Sequence, residues 1–244
     1  MTIALGFHTT DGVILCADTQ ITIGEMKTYD GKVDLHIFPQ SGVIVSVAGA
    51  GHDDYIQTAK SYLLDGFSKR RTMPVLERDL RDRLLTFFST HIAPWANFSS
   101  MDCPAVELLI GITGAGFHPK LFHYDGTAFS DVRVKAIGLG VLLAQDLLDR
   151  YSQATVLTAN QAATLGLYII SKVKQGVEKC GGSTHILGLR KEMDFALTDS
   201  ANLEATEKQL LEIEKQQNKK FLEEIRSRPI SLSWQSEYQK KRKT

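Results

Sequence analysis

The chain has few cysteines, and they follow no disulfide or metal-binding pattern. Three cysteines, Cys16, Cys103 and Cys180, occur in 244 residues. A small odd number cannot build a disulfide framework, and no two are spaced as in a CxxC metal site. Disulfide-stapled secreted folds and zinc-ribbon folds are therefore not expected. We expect a cytoplasmic protein, because thiols stay reduced there.

A surplus of one charge and a long apolar run are also missing. The 28 basic residues balance the 28 acidic ones, for a formal net charge of +0. We therefore expect no nucleic acid and no membrane as a partner. No basic start leads into an apolar signal core, and no uncharged span is long enough to cross a bilayer. Secretion and membrane insertion are not expected.

Cofactor and metal motifs are missing as well. The seven histidines show no HExxH or paired metal spacing. The segment Gly138-Leu139-Gly140 lacks the third glycine of a dinucleotide-binding loop, and no serine lies in a GxSxG motif. We expect no cofactor, no metal and no conventional serine triad.

What the chain does contain is enough apolar sequence for one core, with strands and helices in alternating blocks. Its hydrophobic content is 43%, which suits a single sizeable domain. The periodicity predicts helices at 52–66, 75–92, 141–151 and 159–178. It predicts strands at 2–8, 12–18, 34–38, 42–48, 106–112, 119–124, 127–130, 184–190 and 193–197. This order indicates an α+β fold with two packed antiparallel sheets covered by helices.

The composition changes after residue 199. Residues 200–228 are rich in charge and have a narrow apolar stripe at partly helical spacing, which predicts an amphipathic helix. Pro229 ends it, and a polar tail with a basic end follows. We interpret 2–199 as the domain and 200–244 as a charged helical extension. The helix either rests on its own subunit or contacts a neighbouring subunit.

The first two residues are Met1 and Thr2. Removal of Met1, which the small side chain of Thr2 favours, would leave Thr2 with a free α-amino group. That group titrates at roughly pH 7.7–8.0 and can take the proton of the threonine hydroxyl, making it a nucleophile. Thr2 is therefore a candidate for nucleophile and base at once.

The next stretch predicts a β-hairpin. Residues 2–7 alternate in character, Asp11-Gly12 is a turn signal, and residues 13–17 are an apolar run that ends at Asp18. A hairpin brings the start of its first strand beside the end of its second. We therefore expect Thr2 and Asp18 to lie close together. A carboxylate that only ends a strand is the alternative interpretation of Asp18.

The sequence resembles the proteasome β-subunits and their bacterial relatives, which are N-terminal-nucleophile hydrolases. The resemblance is carried by Thr2, by DGVILCADTQITIG over residues 11–24, by a nearby lysine and by SVAGAGHDD over residues 46–54. It implies a four-layer αββα sandwich over about 2–197. It also implies that Thr2 is the nucleophile, that Asp18 and a lysine tune its proton affinity, and that the N–H of Gly49 holds the oxyanion.

The lysine of this resemblance can be placed in two ways. Ungapped alignment puts Asp34 at the position, whereas Lys32 takes it if the chain is shifted by one or two residues. In a regular strand Lys32 and Asp34 would share a face, and a bulge could bring the ammonium into place. A solvated Lys32 after the Asp30-Gly31 turn is the alternative.

Two segments depart from the family pattern. Where the family has a serine between two glycines, this chain has Leu139, so that hydroxyl is lost. Where the family has Asp and Ser before a glycine pair, this chain reads Val177-Glu178-Lys179-Cys180. Glu178 could replace the acid, one residue out of register, and Cys180 the hydroxyl.

The resemblance implies a threonine-type endopeptidase with Thr2, Asp18, Lys32 and Gly49 in the site. Its substrate would be a peptide or unfolded protein, cleaved within the chamber of a homo-oligomer of two stacked rings. An ATPase or other regulator is left open. The alternative, favoured by Leu139 and Asp34, is a non-catalytic ring subunit of the same fold.

Overall fold

The computed structural model describes residues 3–23, 26–68, 72–97, 103–151, 157–191, 194–198 and 200–227. In these ranges the chain combines helices with antiparallel sheets, which confirms the mixed α and β class. No helix in the described ranges has the length and apolar character needed to span a membrane.

The first sheet begins with the predicted hairpin. Thr9 closes its turn, because its backbone N–H and its hydroxyl both donate to the carbonyl of Gly12, at 2.8 and 2.9 Å. The strands of this sheet are β1 (Ile3–His8), β2 (Gly12–Asp18), β10 (Val134–Gly138), β11 (Thr184–Arg190) and β12 (Phe195–Leu197). They pair in the order β10-β1-β2-β11-β12, and all pairs are antiparallel.

A second five-stranded antiparallel sheet follows along the chain. Its strands, in spatial order, are β5 (Val33–Phe38), β6 (Val43–Gly51), β7 (Val106–Gly114), β8 (Phe117–Tyr124) and β9 (Phe129–Asp131). This sheet consists of sequential neighbours, so short turns suffice to connect most of its strands. A separate two-stranded hairpin, β3 (Gln20–Ile23) with β4 (Met26–Tyr29), lies between the two sheets in sequence.

Five helices are present in the described ranges: α1 (Asp53–Leu64), α2 (Met73–Phe87), α3 (Val141–Tyr151), α4 (Ala159–Gly176) and α5 (Ser200–Ser227). Helix α2 passes into a π turn over Phe88–Ile92 and a 3-10 turn over Ala93–Asn97. Thr158 begins α4 with a capping box, in which its hydroxyl and the side chain of Gln161 each accept from the other's backbone. Such a cap satisfies two otherwise unpaired amides.

Apolar contacts join these elements in layers. Buried residues of α1 and α2 form one cluster with β6, β7 and β8. Alternate residues of β2, namely Val13, Leu15 and Ala17, form a second cluster with residues of β6, β7 and β8. On the other face of β2, the sulfur of Cys16 lies 2.6 Å from where a Cβ would be on Gly166 of α4. Strand β2 is therefore covered on both faces, which explains its unbroken apolar sequence.

Contacts divide the chain into two units, residues 1–207 and 208–244. The first contains both five-stranded sheets, the two-stranded hairpin and the helices up to the start of α5. The described part of the second is the remainder of α5, residues 208–227.

Most predicted elements are present, with shifted ends. The helix predicted at 75–92 ends as an α-helix at Phe87, and the strand predicted at 42–48 continues to Gly51. Two features were not predicted: the β3–β4 hairpin and strand β10. Both consist of short strands of four or five residues.

Candidate active site

Asp18, at the end of β2, is fully buried and accepts three hydrogen bonds. Its Oδ1 accepts from the backbone N–H of Ile3 at 3.1 Å and from Nζ of Lys32 at 2.6 Å. Its Oδ2 accepts from the backbone N–H of Gly181 at 3.0 Å. A buried carboxylate needs such partners to offset its lost hydration. Three distant chain segments therefore meet at this side chain.

Lys32 stands directly before β5 and is 8% exposed. Besides its ion pair with Asp18, its Nζ donates to the backbone carbonyl of Gln20 at 2.5 Å. Burial lowers the pKa of Lys32, and the charge and hydrogen bond of Asp18 oppose that effect. The ammonium is thus fixed in position and gives up its proton more readily than an exposed lysine does.

Asp34, the other residue at the ambiguous position, lies in a different place. Its Oδ2 pairs with Nζ of Lys60 on α1, at 2.5 Å. The expectation that Lys32 and Asp34 share a strand face does not hold, because β5 begins only at Val33 and Lys32 lies outside the regular alternation. The structure brings Lys32, and not Asp34, beside Asp18.

Thr2 lies outside the described residues. Ile3, the first described residue, pairs with Gly138 of β10, and its N–H donates to Asp18. That N–H belongs to the peptide bond between Thr2 and Ile3, so the predicted hairpin does bring the beginning of β1 beside Asp18.

Gly49 is in β6, one residue beyond the last β5–β6 pair, Val33–Ala48. A Cβ on Gly49 would lie 2.5 Å from Cγ2 of Ile56 on α1. Close packing of α1 is therefore a sufficient reason for a glycine here, whether or not its N–H also binds a ligand.

Cys180 lies beside the Asp18–Lys32 pair and is 3% exposed. Burial and the nearby charge of Asp18 raise the pKa of its thiol to about 11, while Lys32 and a hydrogen bond from the N–H of Gly140 act in the opposite direction. A neutral thiol therefore faces the candidate site. Glu178, the other residue considered as a replacement, has an exposed side chain.

Leu139 follows Gly138, the residue that pairs with Ile3, and lies between two glycines. Its side chain is 51% exposed. Gly138 has a φ of +95°, a conformation that favours glycine, and a Cβ on Gly140 would meet Val173 Cγ1 at 2.3 Å. Backbone conformation thus explains the glycine at 138, and close packing explains the one at 140. Between them, Leu139 has an apolar side chain where the family pattern has a hydroxyl.

Two backbone groups of this site were not predicted from the sequence. One is the Gly181 amide, and the other is the Gln20 carbonyl. The Gly181-Gly182 pair was the only signal for the first, and it gave no indication of which group the amide would bind. No side-chain pattern marks the second, because any residue supplies a carbonyl.

The fold defined by these two contacting antiparallel sheets and their helices occurs in solved structures of Anbu proteins. The Gly-1 mutant of Anbu from Hyphomicrobium sp. strain MC1 is 17% identical, with 91% of this chain and 99% of that chain covered and a TM-score of 0.72. Anbu from Yersinia bercovieri, described as an ancestral beta-subunit, is 15% identical, with 96% and 100% covered and a TM-score of 0.69.

A third similar structure is the helical assembly of the Anbu complex from Pseudomonas aeruginosa. It is 15% identical, with 95% of this chain and 99% of that chain covered and a TM-score of 0.64. The sequence matches no protein-family model, and no curated protein matches it. At sequence identities this low, the structural similarity shows a shared fold alone.

These structures correct the resemblance drawn from the sequence. Membership of the proteasome β-subunits or their bacterial proteasome relatives was the wrong assignment, because the similar structures are Anbu proteins. The motifs that suggested it, around Asp18 and Gly49, lie on β2 and β6.

Proposed function

We propose that this chain is an Anbu-like amide hydrolase of the N-terminal-nucleophile type, with Thr2 as its nucleophile after removal of Met1. The observation that supports it best is the buried Asp18–Lys32 ion pair, which shares Oδ1 of Asp18 with the N–H of Ile3, at 2.6 and 3.1 Å. An ion pair that served only stability could lie anywhere in the core. This one lies at the peptide bond that follows the candidate nucleophile.

The charges give the pair a chemical role. A lysine ammonium close to the α-amino group lowers the proton affinity of that group, so that more of it is a free base near neutral pH. Asp18 holds the ammonium in place and offsets its charge in a buried setting. Thr2 can then act with its own amine as the base.

The proposed reaction is acyl transfer in two steps. The Thr2 hydroxyl oxygen bonds to the carbonyl carbon of the amide, its proton passes to the α-amino group, and the leaving amine departs with that proton. Water then attacks the resulting ester, with the α-amine as base, releasing the acid and regenerating Thr2. The Gly49 N–H is the proposed oxyanion donor, a contribution typically worth about 3–4 kcal/mol.

The setting of this chemistry is also part of the proposal. Sheet-to-sheet contacts, with α1 and α2 packed on the second sheet and α4 against the first, support a four-layer αββα arrangement. The proposal takes 2–199 as the catalytic domain and 200–244 as its extension. We propose a peptide or unfolded-protein substrate and a homo-oligomer, as the helical assembly of the Pseudomonas aeruginosa Anbu complex suggests. The free cysteines suit the cytoplasm.

A second candidate function is a non-catalytic subunit of such an assembly. The observation that favours it is Leu139, because an exposed apolar side chain cannot replace the hydrogen bonding of a hydroxyl. Both candidates share the fold and the oligomer, and they differ in turnover.

The test combines intact mass with hydrolysis of fluorogenic peptides. The mature protein should lack Met1, Thr2→Ala should abolish hydrolysis, and Thr2→Ser should retain part of it. Lys32→Met should lower kcat by at least about 10²-fold, the scale of positioned acid–base catalysis, while Lys215→Met on the exposed face of α5 should leave it unchanged. A protein that retains Met1, or that hydrolyses no peptide in its assembled form, would favour the non-catalytic subunit.

A further inference from the structure

Lys174 on α4 forms a second, partly buried polar cluster, outside the residues assigned to the reaction. Its Nζ donates to the carbonyl of Gly182 at 3.2 Å and to Oγ1 of Thr184 at 3.1 Å. It also pairs with both carboxylate oxygens of Glu207, at 2.9 and 3.0 Å. An ammonium has three donors, and these three groups use them.

The Gly182 carbonyl belongs to the loop that carries the Gly181 amide. The carbonyl of Gly181 accepts from the N–H of Gln20 at 3.0 Å, and that of Ser183 accepts from the N–H of Thr19 at 3.1 Å. Gly182 has a φ of +75°, which turns the chain between these two bonds. The carbonyl left between them is the one that Lys174 holds.

The same loop holds Asp18. The N–H of Gly181 donates to Oδ2 of Asp18 at 3.0 Å, and Thr184 is paired with Asp18 across β11 and β2. The ammonium of Lys174 therefore contacts the loop within one residue of the amide that fixes the catalytic carboxylate. No step of the proposed reaction uses Lys174 or Glu207.

Glu207 brings α5 into this arrangement. The side chains of Lys174 and Glu207 are 12% and 19% exposed, so their charges are poorly hydrated and each depends on the other. Leu203, one turn earlier on α5, is also buried. The start of α5 thus packs against the rest of the first unit.

We propose that Lys174 and Glu207 are positioning residues. The Glu207 carboxylate fixes the Lys174 ammonium, the ammonium holds the Gly182 carbonyl, and the loop keeps the Gly181 N–H on Asp18 and so keeps Asp18 directed at Lys32. The catalytic meaning of this chain of contacts rests on the proposed function. The support of the loop by α5 does not.

The experiment measures hydrogen exchange and hydrolysis in the same full-length proteins. In Lys174→Met and in Glu207→Gln, the amide of Gly181 should exchange about tenfold faster, the factor that follows from losing one charge-assisted hydrogen bond. Lys174→Arg should restore much of the protection, because arginine keeps the charge and the donors. The matched control is Glu204→Gln, an exposed glutamate one turn earlier on α5, which should change nothing.

The double variant tests whether Glu207 acts through Lys174. Adding Glu207→Gln to Lys174→Met should have no further effect on the exchange of Gly181, since the intermediate group is gone. The hydrolysis assay should show kcat falling in both single variants with KM little changed, because a displaced Asp18 alters the reacting groups more than substrate binding.

Each outcome has a distinct meaning. Unchanged exchange at Gly181 in folded Glu207→Gln and Lys174→Met overturns the inference. Faster exchange in a protein that hydrolyses nothing leaves the support of the loop established and removes the proposed function. If Lys174→Met shows no cooperative thermal transition, it is not folded. The exchange rate of the Gly181 amide in the nearly isosteric Glu207→Gln then decides the inference.

Discussion

Lys32 and Asp34 are two positions apart, yet their charges serve different parts of the protein. Lys32 completes a buried pair with Asp18, and Asp34 completes one with Lys60. Asp34 lies near the start of β5 and Lys32 directly before that strand, and each is paired with a different element. Because the pairs are separate, substitutions can distinguish a charge needed for chemistry from a charge needed for stability.

The first prediction concerns Asp34. Asp34→Ala should lower the free energy of unfolding by about 1–3 kcal/mol, because Lys60 is left with an unpaired, buried ammonium. Peptide hydrolysis at 25 °C should be retained. Urea denaturation followed by circular dichroism measures the loss. The double variant Asp34→Ala/Lys60→Met should recover most of it, and a loss of hydrolysis without a loss of stability would instead assign Asp34 to the site.

The second prediction concerns pH. The pKa of Lys32 is lowered in the folded protein by burial, so the unfolded chain binds more protons between that lowered value and the ordinary lysine value of about 10.4. Stability contributed by this group is complete above pH ~10.4 and is lost as the pH falls through the folded pKa. The difference in unfolding free energy between wild type and Lys32→Met should therefore move in favour of wild type as pH rises.

Urea titrations of both proteins at intervals from pH 7 upward would measure that difference. The comparison cancels the other lysines, which titrate alike in the two proteins. A difference that is flat with pH, or that moves against wild type, would contradict a burial-lowered pKa at Lys32.

At the scale of elements, β6 carries both a candidate ligand group and a tight packing contact at one residue. The third prediction is that Gly49→Ala should destabilise the fold by about 1–3 kcal/mol, because the added Cβ would lie 2.5 Å from Ile56 Cγ2. Adding Ile56→Ala should relieve that clash. Thermal unfolding and kcat, measured on both variants, separate the two roles of Gly49.

The outcome for kcat decides between these roles. An oxyanion donor depends on the position of the β6 backbone, so kcat should fall in Gly49→Ala and recover with the relief of the clash. An unchanged kcat in both variants would mean that Gly49 serves packing alone, whatever stability the loss of the buried Ile56 side chain costs.

The elements differ in how well the sequence predicts them, for physical reasons. The β1–β2 hairpin was predicted because its turn and its alternation are local. Strand β10 and the β3–β4 hairpin were missed because short strands depend on partners, such as β1 for β10, that are distant in sequence. The same holds in the site: Asp18 was named from the local hairpin, and Lys32 was one of two placements that the family resemblance allowed. The Gly181 amide, in contrast, is 163 residues away from Asp18 in sequence.

At the scale of the whole molecule, the fourth prediction is assembly. The chain should form a homo-oligomer, and multi-angle light scattering at micromolar concentration should give a mass several times 27.1 kDa. Several large apolar side chains are more than half exposed in the single chain, which favours burial in an interface: Met26, Tyr29, Leu85, Leu139, Leu142, Tyr151, Leu197 and Ile213.

A stable monomer in that measurement would contradict the assembly. Truncation after Glu207, at the boundary of the first unit, provides a control. The shortened protein should keep its thermal transition, because the contacts of Leu203 and Glu207 remain. A smaller number of subunits in the assembly, with the thermal transition unchanged, would assign residues 208–244 to the interface.

The wide sequence separation of the groups around Asp18 also has a consequence for synthesis. Lys32 and Ile3 are within 15 residues of Asp18, so an emerging chain contains this part of the site early. The Gly181 amide and β11, which pairs with β2, are made last among the groups that hold the carboxylate. Because long-range pairing forms slowly, the Asp18 carboxylate of an incomplete chain lacks the Gly181 amide. Under the proposed function, an unfinished chain should therefore hydrolyse no peptide until β11 has been made and paired with β2.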